Sequence, residues 1–227
     1  MIMNRVAIIV AGGSGTRMGH ELPKQFHLLQ GKPVIWHSIK AFTEAYSDIR
    51  VIVVLPARYL DQSHYINLDF HSHVIQVVEG GDSRFDSVKN GLREVIGDAL
   101  VFVHDAVRCL VTADLIRRCG DAAEKNGNAV PCIEASDSMR VIIGDRNEIL
   151  SREYVRLIQT PQVFRADVLK QAFDQPYEVG FTDEANVVES AGQTIHLVPG
   201  ETENIKITNP VDMAVAQHVM LKRMGAS

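Results

Sequence analysis

The chain has 227 residues, 46% hydrophobic and 22% charged, with a formal net charge of −5, enough for one domain of ordinary size (1–227) with a real core. That acidic balance excludes a general nucleic-acid binder, which carries basic surface, but leaves room for a local positive pocket that takes phosphates. Cys109, Cys119 and Cys132 form no C-x-x-C pair and read as reduced core fillers, the N-terminus lacks a signal-peptide pattern, and no apolar run reaches membrane-spanning length, so a cytoplasmic protein is expected.

Residues 5–10 form a β-branched apolar run that ends in glycines, and 34–46 place Val34, Ile35, Ile39 and Phe42 at helical spacing. Residues 49–55 are almost continuously hydrophobic, as a strand buried on both faces of a parallel sheet would be, and Pro56 ends them. Another strand is expected over 74–78, then the turn Gly80-Gly81-Asp82, with Ser83 as N-cap of a helix through Val88, Leu92 and Val95. A strand over 99–103, a helix over 112–126 closed by Gly127, and a strand over 129–133 follow. This alternation predicts βαβ units, hence an α/β fold: a doubly wound, mostly parallel sheet with helices on both faces.

The rhythm breaks over about 135–162, where short strands (139–143, 148–151) flank the turn Gly144-Asp145-Arg146. A projecting β-hairpin arm is expected there, and because such a ribbon cannot bury both faces alone, it predicts dimerisation with a second copy. Helices over 165–173 and 183–190, strands near 195–198 and 204–208, and a terminal helix from Pro210 complete the pattern.

Candidate chemistry starts after the first strand, at Ala11-Gly12-Gly13-Ser14-Gly15-Thr16-Arg17-Met18-Gly19 and Leu22-Pro23-Lys24. Glycines let backbone N–H groups approach phosphate oxygens, and Arg17 and Lys24 add fixed positive charge. A tight strand-to-helix turn accounts for the glycines but not for two cations and a proline. The dinucleotide fingerprint is not met, since Gly13, Gly15 and Gly19 give G-x-G-x-x-x-G, and Gly15-Thr16-Arg17 is not the G-K-[ST] of a P-loop.

Gly80, Gly81, Asp82 and Ser87 lie where a helix begins after a strand end, a position that suits base and phosphate contacts. Asp105, Ala106 and Arg108 follow an apolar strand at its carboxyl end, so they point into the same crevice. Arg152 and Thr160 lie on the expected arm, Thr182 opens a later helix, and Lys206 interrupts an apolar strand, which places it in a pocket. His71 and His73 lack a third ligand motif and read as an exposed loop.

In order along the chain, A-G-G-S-G-T-R-M-G, P-K-Q, G-G-D-S-R-F-D-S-V, H-D-A-V-R, Q-T-P-Q-V-F, F-T-D-E-A and N-I-K-I-T resemble the 2-C-methyl-D-erythritol 4-phosphate cytidylyltransferases of the non-mevalonate isoprenoid pathway. The resemblance runs from about Val6 to Met220. It implies a nucleotide-diphospho-sugar transferase-like variant of the Rossmann fold, and a transfer from CTP to a small polyol phosphate with Mg²⁺ or another divalent cation. It also implies roles: Arg17 and Lys24 at the α-phosphate in the transition state; Ala11, Gly12, Gly13, Gly15, Gly80, Gly81, Asp82 and Ser87 around the nucleotide. Asp105, Ala106, Arg108, Ser138, Thr160 and Thr182 would surround the polyol phosphate, and Arg152 and Lys206 would grip its phosphate, Arg152 from the partner's arm. Ala11-Gly12-Gly13, Cys109 and Ser138 depart from the common pattern, and ribitol-5-phosphate cytidylyltransferases share A-G-G, V-R and N-I-K-I-T, which makes them the alternative, beside a non-catalytic nucleotide-binding protein of this fold.

Overall fold

A computed structural model describes residues 3–12, 22–63, 70 and 75–225. Gly13, Gly15 and Arg17, and the pair His71 and His73, lie outside them. The architecture is α/β around a central, mostly parallel sheet. Strand β1 (Asn4–Val10) pairs in parallel with β4 (Arg50–Leu55) on one side and β6 (Ala99–Asp105) on the other, and β4 pairs with β5 (Ile75–Glu79). The short strands β2 (Leu28–Leu29) and β3 (Lys32–Pro33) form a separate ribbon ahead of helix α1 (Val34–Ala45).

Because β1 is continuous apolar sequence, both of its faces are buried. Ala7 and Ile9 join a core with Ile35, Ile39 and Phe42 of α1 and with Leu115, Ile116 and Cys119 of α3 (Ala113–Asn126). Val6, Ile8 and Val10 enter the opposite core with Phe85, Val88 and Leu92 of α2 (Arg84–Arg93). The two-residue alternation of a strand thus sends each neighbour to a different helical layer. Local signals set the helix ends. Ser83 and Asp86 form a capping box on α2, Thr112 caps α3, and Gly127 closes it with φ 87°.

The far half of the sheet is mixed, with antiparallel pairings that the sequence pattern does not predict. Strand β11 (Gln162–Arg165) runs antiparallel between β6 and β7 (Asn128–Glu134), and β10 (Arg156–Ile158) also runs antiparallel along β7. These two pieces read in sequence as arm and helix start because each is short and Pro161 lies between them. Strands β8 (Met139–Ile143) and β9 (Arg146–Leu150) pair only with each other, and both are mostly exposed. Helices α4 (Ala166–Phe173) and α5 (Glu184–Ser190) cover the α2 side, and β12 (Leu197–Pro199) pairs with β7.

Residues 204–208 are not the strand expected. They form an extended segment held by a backbone bond from Ile207 N to Val107 O (2.9 Å), and α6 (Pro210–Arg223) then closes a third core over Ile207. Ile207 is buried, so the side chain before it, Lys206, projects the other way. Among the described residues no helix is long and apolar enough to cross a membrane.

Helix α2 packs closely on the sheet at Gly91, where a Cβ would meet Ile8 Cγ2 at 2.8 Å and Val54 Cγ2 at 3.2 Å. Gly91→Val should therefore destabilise the fold by about 1–3 kcal/mol despite valine's better helix propensity than glycine's. Urea unfolding checks this, and a midpoint equal to wild type would show that α2 has room to rise off the sheet.

Candidate active site

The strand order places β1 between β4 and β6, whose connections leave β1 in opposite directions, and such a switch point opens a crevice beyond the strands' carboxyl ends. Val10 and Asp105 sit side by side in the register at those ends. The chain just past them is held by backbone bonds: Ala11 N donates to Val54 O (3.0 Å), Gly80 N to Leu55 O (2.8 Å), and Ala106 N to Val10 O (3.0 Å).

Ser87 gathers Gly12, Gly80 and Gly81, residues that the resemblance implies lie around the nucleotide. A Cβ on Gly12 would come within 3.1 Å of Ser87 Oγ, and one on Gly80 within 3.0 Å. Gly81 N donates to that same oxygen (3.1 Å), which itself donates to Ser83 O (2.9 Å). Gly81 allows no Cβ at all, since Asp86 Cβ would lie 2.3 Å away. Gly12, Gly80, Gly81 and Ser87 therefore form one close-packed cradle, beside which Asp82 is exposed. Ala11 is fixed from beneath, its carbonyl accepting from the buried Gln25 Nε2 (2.7 Å).

At the end of β6, Asp105 is 7% exposed and meets three cations. Lys206 Nζ lies 2.8 Å from Oδ2 and Arg108 Nε 3.8 Å from it, while Oδ1 accepts from Arg84 Nη2 (3.2 Å) and Nε (3.3 Å). Burial alone would raise the Asp105 pKa; Arg84 first, then Lys206 and Arg108, reverse that and hold it well below the carboxylate range. Arg84 turns its other edge to Glu184, donating through Nη1 to Oε1 and through Nη2 to Oε2 (3.0 Å). Burial opposes the charge on Arg84, but Glu184 and Asp105 outweigh it and keep the guanidinium protonated. Arg108 spends its fork on the carbonyls of Asn204 (2.8 Å) and Ile158 (3.3 Å), and its buried Nε makes no hydrogen bond among the described residues.

His104 stands behind Asp105 and is fully buried. Nε2 lies 3.2 Å from the Arg108 carbonyl, which can only accept, so Nε2 carries the proton; Nδ1 then accepts from the Thr160 hydroxyl (2.9 Å). Thr160 Oγ1 in turn accepts from Asp105 N (3.1 Å). Thr160, expected at the substrate, is thus buried and occupied as a support for Asp105. Ala106 is likewise enclosed, its carbonyl accepting from Ser38 Oγ (2.8 Å).

Lys24 begins a short 3₁₀ turn (Lys24–Phe26), and its charge reaches Asp212 of α6. Thr182 is exposed and bonded to Asn186 beside α5. Ser138 and Arg152 lie away from this cluster at the base of the β8–β9 ribbon, Arg152 Nη1 donating to Ser136 O (2.7 Å). Sequence reasoning passed over Arg84, His104, Gln162 and Glu184 although each stands in or beside a motif it quoted. Gln162 fixes the start of α5, donating to Asp183 Oδ2 (2.9 Å) and accepting from Ala185 N (2.8 Å). The thiols of Cys109 and Cys119 are pushed up to about 12 by burial, which suits core fillers and not nucleophiles. Among the described residues no three His, Cys, Asp or Glu side chains are grouped to hold a metal ion.

Burial also drops the His104 pKa from 6.5 to about 3, against the pull of Asp105. A lowered folded pKa means the unfolded chain takes up the proton first, so this ring's contribution is complete above about pH 6.5 and is lost as pH falls toward 3. Between pH 6.5 and pH 5 the loss should be about 2 kcal/mol. Urea unfolding at both pH values should show His104→Gln flattening this dependence; a slope unchanged from wild type would refute it.

The family model for 2-C-methyl-D-erythritol 4-phosphate cytidylyltransferase matches residues 5–222. A protein of that name from Bacteroides thetaiotaomicron is 42% identical over 219 residues, covering 96% of this chain and all of that one. The crystal structure of 4-diphosphocytidyl-2C-methyl-D-erythritol synthase from Anaerococcus prevotii aligns with a TM-score of 0.83 at 26% identity, covering 96% of both chains. The bifunctional IspDF from Campylobacter jejuni aligns with a TM-score of 0.79 at 27% identity over 93% of this chain, which spans 54% of that longer protein. The family model's match over residues 5–222 and the 42% identity over nearly the whole length of both proteins place this chain in the 2-C-methyl-D-erythritol 4-phosphate cytidylyltransferase family.

Proposed function

We propose that the chain joins CTP and 2-C-methyl-D-erythritol 4-phosphate: a phosphate oxygen of the alcohol attacks the α-phosphorus, the α–β bond breaks, and pyrophosphate leaves with the bonding electrons. The observation that carries this reading is that the Ser87 cradle and the Asp105 cluster meet through Arg84, which follows the Gly80–Ser83 loop and pairs with Asp105 at the end of β6. The ribitol alternative has no such support from the named relatives.

The attacking phosphate is mostly ionised at neutral pH, its second pKa being about 6, so no general base is required. His104, neutral and enclosed, is not placed to act as one. What the reaction needs is neutralisation of two anions and their alignment. Arg84, Arg108 and Lys206 against Asp105 and Glu184 leave a net positive charge to receive the substrate phosphate. Lys24, with Arg17, serves the α-phosphate; the divalent cation arrives on the triphosphate, an arrangement suited to Mg²⁺, which needs few protein ligands.

The reading includes a homodimer. The β8–β9 ribbon exposes Ile142 (73%), Ile143 (58%) and Ile149 (79%), and an isolated two-stranded ribbon is marginal in water. A second copy that covers these side chains would also bring Arg152 to the partner's crevice.

Mixing the chain with CTP, Mg²⁺ and methylerythritol phosphate should release pyrophosphate, and much less with ribitol 5-phosphate; equal or reversed rates would remove the substrate assignment. Lys24→Ala should lower kcat by roughly 10²-fold. An effect confined to KM would make Lys24 a binding residue only. Arg152→Ala and Lys24→Ala subunits, each of low activity alone, should regain activity when mixed, and a mixture no more active than its parts would place Arg152 in its own chain's site.

A further inference from the structure

We infer that Glu184 and Arg84 form a positioning pair that holds Asp105 in place when Lys206 turns from Asp105 to the substrate phosphate. The inference rests on the functional reading above. Asp105 divides its oxygens: Oδ1 belongs to Arg84, Oδ2 to Lys206 at 2.8 Å with Arg108 Nε at 3.8 Å. Lys206 is the more exposed partner, its side chain 43% exposed against 27% for Arg84, and a single ammonium on a long stem. A lysine that must grip an incoming phosphate has to loosen its grip on Asp105. Without a second close cation, a nearly buried carboxylate would then face only Arg108 across 3.8 Å.

Arg84 supplies that cation, and Glu184 fixes it. Glu184 is 1% exposed and takes both Arg84 terminal nitrogens, one on each carboxylate oxygen. A bidentate fork sets the plane of the guanidinium, so the edge carrying Nε is aimed at Asp105. Glu184 is itself anchored: it opens α5, whose Ala185 N donates to Gln162 Oε1, while Gln162 Nε2 holds the capping Asp183. Arg84 opens α2, directly after the loop that carries Gly80, Gly81 and Asp82. The pair therefore ties the nucleotide cradle, the end of β6 and the start of α5 into one ionic chain. The groups facing Asp105 are Arg84, Lys206 and Arg108, with Glu184 behind Arg84 and neutral His104 behind the strand.

Five proteins test it: wild type, Glu184→Gln, Arg84→Gln, the double variant, and Arg84→Lys as a control for charge. Glu184→Gln should lower kcat/KM for methylerythritol phosphate about tenfold, and should cost nothing further in the Arg84→Gln background, because it acts only through Arg84. Titration of the ¹³C-labelled Asp105 carboxyl by NMR should move up in Arg84→Gln and part of the way back in Arg84→Lys, a readout that a merely structural role would not shift. Equal losses from Glu184→Gln in both backgrounds, or an Asp105 titration in Arg84→Gln identical to wild type, overturns the pair. Should Glu184→Gln not fold, the titration decides. A wild-type chain that releases no pyrophosphate would instead count against the functional reading, and the titration would still judge the pair.

Discussion

An ionised carboxylate at the end of a wholly buried strand is an expensive thing to keep, and much of the crevice is arranged around keeping one. Every residue of β6 is buried, and Asp105 is its last. Leaving such a charge without its partner costs about 3–5 kcal/mol, so the fold must bring compensation from elsewhere in the chain. It does so from distant segments: Arg84 is 21 residues before Asp105 and Glu184 is 100 residues beyond Arg84. The contacts that stabilise Asp105 are therefore also the contacts that draw α2, α5 and the 204–208 segment toward the same end of the sheet.

The opposite wall meets a different constraint, one of space. Gly12, Gly80 and Gly81 crowd Ser87 so closely that side chains at those positions would collide with it or with Asp86. Without side chains there the loop and the start of α2 close onto each other, and the N–H groups of Gly80 and Gly81 are held by Leu55 O and Ser87 Oγ. The two walls thus work by different physics, one by fixed charge and the other by close backbone approach.

Local signals were well written in the sequence. The apolar run 49–55, the Ser83 cap and the Gly127 stop each act over a few residues, and each gave an element within about one or two residues of its place. Strand β11 was not legible, because four residues after a proline carry no period of their own and gain strand geometry only from β6 and β7 on either side. The reverse error occurred at 204–208, where the alternation of Ile205, Lys206 and Ile207 is that of a strand but a single backbone bond to Val107 replaces a ladder. The site shows the same division. Lys206 stood out as a charge in an apolar run, whereas Arg84 and Glu184 looked like ordinary first-turn helix residues, and only their meeting across 100 positions gives them their role.

That meeting bears on why an arginine occupies position 84. Lysine could neutralise Asp105, but its three donors rotate about one nitrogen and could not fix the angle between two carboxylates as a planar fork does. Arg84 presents Nη1 and Nη2 to Glu184 and Nε and Nη2 to Asp105, so the planar fork converts the position of one buried acid into the position of the other. Lys206 contrasts with it: one ammonium on a flexible stem, half in solvent, bonded to the same Asp105. The division of labour follows from the two side chains. The rigid cation keeps the carboxylate where it is, and the flexible one is left able to exchange that carboxylate for a phosphate.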